Sequence, residues 1–185
     1  IIDCTSANAL AHGQAVPEIL KGRYLALLIG VSYYSDPYIP DLEKPVIDAE
    51  NLYKVLVSNY TFTKENIIFL KNPTYKDLIG VFDSLVSILT SDDNLLIFYA
   101  GHGRWDEKGK VGSWFPSDAS KAITNNWFRN SVLRDYLGSI AAKHTLLIAD
   151  ACFSGAIFKS RAAFTEPSQG VEKLYELPSR KAMTS

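Results

Sequence analysis

Leu95-Leu96-Ile97-Phe98-Tyr99-Ala100-Gly101-His102-Gly103 is a short, uninterrupted apolar run that stops at a histidine between two glycines. Apolar residues without polar alternation mark a strand covered on both faces, as in a parallel sheet, and the run is too short for an ordinary buried helix. The same pattern recurs upstream in the eight residues Tyr-Leu-Ala-Leu-Leu-Ile-Gly-Val that start at Tyr24, downstream at Thr145-Leu146-Leu147-Ile148-Ala149, and more weakly from Asn66 to Leu70. Between these strands the apolar spacing becomes helical. Val46, Ala49, Leu52, Tyr53 and Leu56 share one face within Val46 to Tyr60, and Leu78, Phe82, Leu85 and Leu89 share another after Asn72-Pro73-Thr74. A third helix is predicted from Asn130 to Ala142, carrying Val132, Leu133, Tyr136, Leu137 and Ile140. A turn at Lys108-Gly109-Lys110 predicts a hairpin that returns through Trp114-Phe115. The alternation of strand and helix predicts an α/β three-layer sandwich: a mostly parallel central sheet with helices on both faces.

At 185 residues the chain is long enough for one core and short for two. Hydrophobic residues at 47% and charged residues at 21% place it with ordinary globular proteins rather than disordered or fibrous ones. A net charge of -1, from 19 basic and 20 acidic residues, supplies no field for nucleic acid. No stretch reaches the roughly 18 uninterrupted apolar residues of a membrane span, and no basic segment followed by an apolar one opens the chain, so neither a membrane nor a secretory route is expected. Cys4 and Cys152 stand in unlike contexts and predict no disulfide, which fits a reducing, cytoplasmic location. A first residue of Ile1 leads us to expect a fragment or a processed product.

In open α/β sheets the ligand crevice lies outside the carboxyl ends of the strands. One strand runs out into Gly101-His102-Gly103 and another into Asp150-Ala151-Cys152-Phe153-Ser154-Gly155, so a histidine and a cysteine emerge at the same edge. A free thiol near pKa 8.5 is mostly protonated at neutral pH and becomes a nucleophile when a base takes its proton. Either residue alone is a weak signal, since Gly-His-Gly is often only a turn and a cysteine after a strand is more often a small core hydrophobe. Together they predict a dyad, with Cys152 as nucleophile and His102 as its partner. The backbone amides of Gly103 and Cys152 are candidate oxyanion-hole donors.

The motifs Leu27-Leu28-Ile29-Gly30, Val46-Ile47-Asp48-Ala49, Tyr99-Ala100-Gly101-His102-Gly103 and Asp150-Ala151-Cys152-Phe153-Ser154-Gly155, in this order, resemble those of the caspase and metacaspase superfamily, nearest to its prokaryotic and metacaspase-type members. The 50 positions from His102 to Cys152 fit the spacing of about 50 between a caspase's histidine and its cysteine. The resemblance implies a cysteine endopeptidase with a His102–Cys152 dyad and a caspase-like sandwich. It divides the chain into a leading segment (1–22), a large-subunit catalytic domain (23–155), a linker or activation loop (156–178) and the start of a small-subunit region (179–185). Animal caspases carry Gln where this chain has Asp150, whereas metacaspases carry Asp and cleave after Arg or Lys. The resemblance therefore implies that Asp150, with Asp48, lines a pocket for a basic substrate side chain, and a carboxylate there would attract a cation. Ala100 stands where many metacaspases have Ser, which removes one polar group from that pocket. Lys159, Arg161, Lys173, Arg180 and Lys181 are candidate self-cleavage positions for an enzyme of basic specificity.

The expected partners are a protein or peptide substrate and the small-subunit portion of the same polypeptide. No cofactor is expected and no metal is assigned, although some metacaspases need calcium. Asp92-Asp93 and Asp106-Glu107 read as solvated acidic turns, His144 as a solvated or capping residue at a helix-to-strand junction, and Cys4 as a spectator. His12 lies in a segment that the pattern does not place. Trp105, Trp114 and Trp127 are expected to pack the loops near the active-site edge. Three other readings stand beside the peptidase: a caspase-fold scaffold that binds without cleaving, a separase or CHAT-type peptidase, and a nucleotide-binding α/β protein. The last lacks a Gly-rich phosphate loop after its first strand.

Overall fold

The computed structural model describes residues 22–106, 108–151 and 179–184. Five strands form one parallel sheet: β1 (Tyr24–Gly30), β2 (Ile67–Lys71), β3 (Asn94–Ala100), β7 (His144–Asp150) and β8 (Ser179–Thr184), in the order β2-β1-β3-β7-β8. The apolar runs are continuous because both faces are covered. Leu25, Leu27, Ile29, Leu95, Ile97, Tyr99, Leu147 and Ala149 enter one core cluster, and Ala26, Leu28, Leu96, Phe98 and Ala100 enter another on the opposite face.

The second cluster is covered by α1 (Pro45–Asn59), which brings Ala49 and Leu56 to it. A proline at the first helical position costs no hydrogen bond there. The first cluster is covered by α2 (Tyr75–Ile88) and α3 (Asn130–Ser139) through Leu78, Phe82, Leu85 and Leu133. Thr74 and Asp77 close a capping box at the start of α2. The expected helices on both faces are therefore present. The expected hairpin is present too, as β4 (Gly103–Asp106) and β5 (Val111–Trp114), and β6 (Phe128–Arg129) extends it to a small antiparallel sheet. Trp114 is fully buried and stacks on Tyr99 at 4.2 Å between ring centres. Phe128 and Phe82 continue the stack, so Trp114 is a core residue beneath the edge rather than a loop residue at it.

The sequence pattern differs from the structure mainly around residues 179–184. These residues form β8 and pair in parallel with β7, from His144 opposite Ser179 to Ala149 opposite Thr184. His144 is held by Ser179 at Nδ1–Oγ 2.8 Å, so it joins two strands rather than capping a helix. The Arg180 guanidinium donates to the carbonyls of Leu137 (2.9 Å), Ile140 (2.8 Å) and Ala142 (3.4 Å) at the end of α3. That helix ends at Ser139, three residues before the predicted Ala142, and Arg180 takes one open carbonyl of its last turn, Leu137, and two just after its end. Asp93 is not a solvated acid; it is 2% exposed and bonded to Arg23 and Thr90.

Candidate active site

The strand order places the connections leaving β1 and β3 on opposite faces of the sheet, so the crevice at their carboxyl ends is open. The loop after β1 crosses this crevice and meets the turn after β3. Val31 N–H donates to Ala100 O at 2.9 Å, and Gly101 N–H donates to Asp150 O at 3.3 Å. His102 is fixed at both ends of its backbone. Its N–H donates to Tyr34 Oη at 2.8 Å, and its carbonyl accepts from Tyr99 Oη at 2.6 Å and from Phe115 N at 3.0 Å.

Burial pushes the Tyr34 phenol up to about 12, against the opposing pull of the His102 amide, and burial also pushes Tyr99 well above the usual phenol range. Both stay neutral near pH 7, so Tyr99 keeps its hydroxyl proton for the His102 carbonyl and Tyr34 keeps its own for Val31 O while accepting from the His102 amide. Gly101 makes room for the pair, because a Cβ there would lie 2.8 Å from Tyr99 Oη and 3.2 Å from Tyr34 Oη.

The His102 ring lies 5.1 Å from the Tyr34 ring and places Nε2 2.9 Å from Pro40 O. A carbonyl oxygen only accepts, so Nε2 carries the proton in this bond and Nδ1 is left as the basic nitrogen. Gly103 opens β4 opposite Trp114. Gly30, Ala100 and Asp150 stand in register across β1, β3 and β7. Asp150 is exposed and, by the alternation of β7, falls on the α1 side with Leu146 and Ile148. Asp48 is exposed on the first turn of α1, where its N–H donates to Lys44 O at 2.9 Å. The start of α1 sits on the end of β1, since a Cβ on Gly30 would come 2.7 Å from Val46 Cα. Asp48 and Asp150 are therefore on the same side of the sheet at its carboxyl edge. Cys152 lies outside the described residues, which reach Ala151, one residue short of it.

Sequence reasoning missed Tyr34, Pro40 and Asn72. Asn72 adopts a positive φ of 49° at the end of β2, and its Oδ1 accepts from Ser32 N (2.7 Å) and Tyr33 N (3.1 Å), which fixes the loop that carries Pro40. An Asn before a Pro was a visible turn signal, but nothing local pointed to its partner 40 residues away. Among the described residues no group of three His, Cys, Asp or Glu side chains is placed to hold a metal. No described helix is long and apolar enough to cross a membrane.

A parallel five-stranded sheet with helices on both faces, and a histidine at the end of its β3, make this a caspase-like α/β sandwich. The chain belongs to the caspase-domain family of cysteine peptidases, whose family model matches residues 23–183. It is 26% identical to metacaspase-1 of Eremothecium gossypii over 80% of this chain and 36% of that protein. It is 31% identical to metacaspase-4 of Arabidopsis thaliana over 71% of this chain and 34% of that protein. Among solved structures, caspase-1 of Spodoptera frugiperda matches with a TM-score of 0.55 at 18% identity, over 71% of this chain and 48% of that one. A protein of Geobacter sulfurreducens matches with a TM-score of 0.57 at 18% identity, over 70% and 50%. The chain thus spans half or less of the length of these relatives.

Proposed function

We propose that this chain supplies the dyad of an endopeptidase that cleaves after Arg or Lys, with Cys152 as nucleophile and His102 as base and then acid. The observation that carries this is the bond from His102 Nε2–H to Pro40 O, at the carboxyl end of the strand beside β7. It holds the ring and sets the tautomer, which leaves Nδ1 to take the thiol proton and return it to the departing amine. The thiolate adds to the scissile carbonyl, and the amides of Gly103 and Cys152 are the proposed donors to the oxyanion. Asp48 and Asp150, on one side of the edge, are the proposed partners of the substrate cation. Thiol and imidazole suffice for this chemistry, and we propose that it proceeds without a cofactor.

Processing is proposed within 156–178, where Lys159, Arg161 and Lys173 lie outside the described residues. Arg180 and Lys181 are poor sites. A peptidase takes its substrate extended and accessible, whereas these two residues are paired in β8 and Arg180 is held by α3. The expected partners are a protein or peptide and the small-subunit portion of the same polypeptide.

The deciding test is hydrolysis of a fluorogenic peptide ending in Arg by the full-length protein and its Cys152→Ala variant, with an Asp-ending peptide as control. Cleavage after Arg that falls at least about 1,000-fold in the variant is expected. Cleavage after Asp would overturn the acidic pocket, and silence toward both peptides would favour a caspase-fold scaffold.

A further inference from the structure

A cleft of about 410 Å³ opens beside His102 on the face of the sheet opposite α1. Its lining includes Pro40, His102 and Gly103 together with the aromatic rings of Tyr38, Phe115 and Trp127. Phe115 and Trp127 belong to the core cluster that α2 and α3 cover, so the cleft lies across the carboxyl edge from Asp48 and Asp150. Two cations stand at its rim. Arg104 is exposed and lies over the Trp127 ring at 5.3 Å, with no carboxylate partner among the described residues. Lys121 is exposed, and Asp36, an acid that interacts with its charge, is bonded to Tyr38 N, Lys121 N and Ser120 Oγ. Those bonds from the Tyr38 and Lys121 amides hold the Asp36 carboxyl below its usual range, so it stays ionised, joins the two loops of the rim and offsets part of the Lys121 charge.

We propose that this cleft is the subsite for the residues that follow the scissile bond, and that it selects acidic side chains there. This rests on the dyad reading above. The group that protonates the leaving amine must touch it, so the departing segment begins at His102, and the cleft that shares His102 as a wall receives it. A carboxylate in the cleft meets Arg104 and Lys121, while its methylenes lie against Phe115 and Trp127. A Lys in the same place meets the like charges of Arg104, which has no carboxylate partner among the described residues, and of Lys121, which Asp36 offsets only in part. The substrate is then bipolar, basic before the cut and acidic after it, matching carboxylates on one face of the sheet and cations on the other.

The test uses three labelled peptides that share Arg before the cut and differ in the two residues after it: Glu-Glu, Gln-Gln or Lys-Lys. Binding is read with full-length Cys152→Ala protein, which keeps the peptide intact, and turnover with the wild type. The expected Glu-Glu over Lys-Lys preference is about tenfold at low salt, shrinking in 0.5 M salt and falling to within about twofold in Arg104→Gln/Lys121→Gln. A Glu-Glu to Lys-Lys ratio near one in either assay, a preference the double variant keeps, or no binding of any peptide overturns the subsite. A binding preference without Cys152-dependent turnover keeps the subsite and overturns the peptidase reading, so the two fail separately.

Discussion

His102 is held through its neighbours more than by its own ring. Tyr34 Oη accepts from the His102 amide and donates to Val31 O at 3.2 Å, so one hydroxyl ties the histidine turn to the end of β1. Tyr34→Phe keeps the ring and its burial but leaves both groups short of a partner, at a stability cost of about 1–2 kcal/mol. Because the loss falls on the position of the proposed base, kcat should drop about tenfold with KM changed less than twofold, in steady-state kinetics on the Arg-ending peptide. An equal rise in KM with kcat intact would show that Tyr34 serves the substrate and not the histidine. His102 was legible in the sequence because two glycines and an apolar run frame it, and Asp48 and Asp150 because family motifs surround them. Pro40 was not, since what it contributes is a carbonyl oxygen, which every residue has. Only the crossing of the crevice by the loop after β1 brings that oxygen to Nε2.

At the scale of elements, β1, β3 and β7 could be read because burial on both faces demands unbroken apolar runs. The strand β8 could not: Ser-Arg-Lys-Ala-Met-Thr offers neither such a run nor clean alternation, and Met183 is 61% exposed. The two-residue β6 is too short for any periodicity to register. What holds β8 is its ladder with β7 and the three carbonyls in and just after the last turn of α3 that Arg180 binds. A parallel pair needs a crossover of a dozen residues or more, and residues 151–178 connect β7 to β8, so a cut within 156–178 severs the connection and leaves the ladder intact. Protein nicked there should stay together in native mass spectrometry. Arg180→Gln removes the charge-assisted bonds and should increase release of the downstream fragment at least about fivefold at low denaturant. Equal release from both proteins would mean that the ladder alone retains the strand.

Across the whole molecule, the proposed chemistry gathers at the carboxyl edge of the sheet, and a polar knot fastens the amino edge. Asp93, just before β3, accepts from Arg23 N, Nε and Nη2 and from Thr90 N and Oγ1. Backbone bonds run on from it: Asn94 N to Arg23 O, Lys143 N to Asp93 O and Ser179 N to Lys143 O, which ties the starts of β1, β3, β7 and β8 in a row. Burial alone would raise the Asp93 carboxyl, but the bonds from Arg23 and Thr90 outweigh it and hold it well below the usual carboxylate range. A pKa lowered by folding means that the unfolded chain binds the proton first, at about 3.9. The stabilisation is therefore present in full above that pH and fades as pH falls below it. Asp93→Asn keeps the shape but removes the charge and turns one acceptor oxygen into a donor. The variant should be less stable by about 2 kcal/mol at pH 7 in urea unfolding. The gap should narrow from about pH 4 downward, as the wild type loses what the variant never had. The other lowered carboxyls, Asp36, Glu50, Glu65 and Asp77, are common to both proteins and cancel in the difference. A gap that held constant from pH 7 to pH 3 would show that Asp93 works through shape alone, and that its charge does not fasten the amino edge.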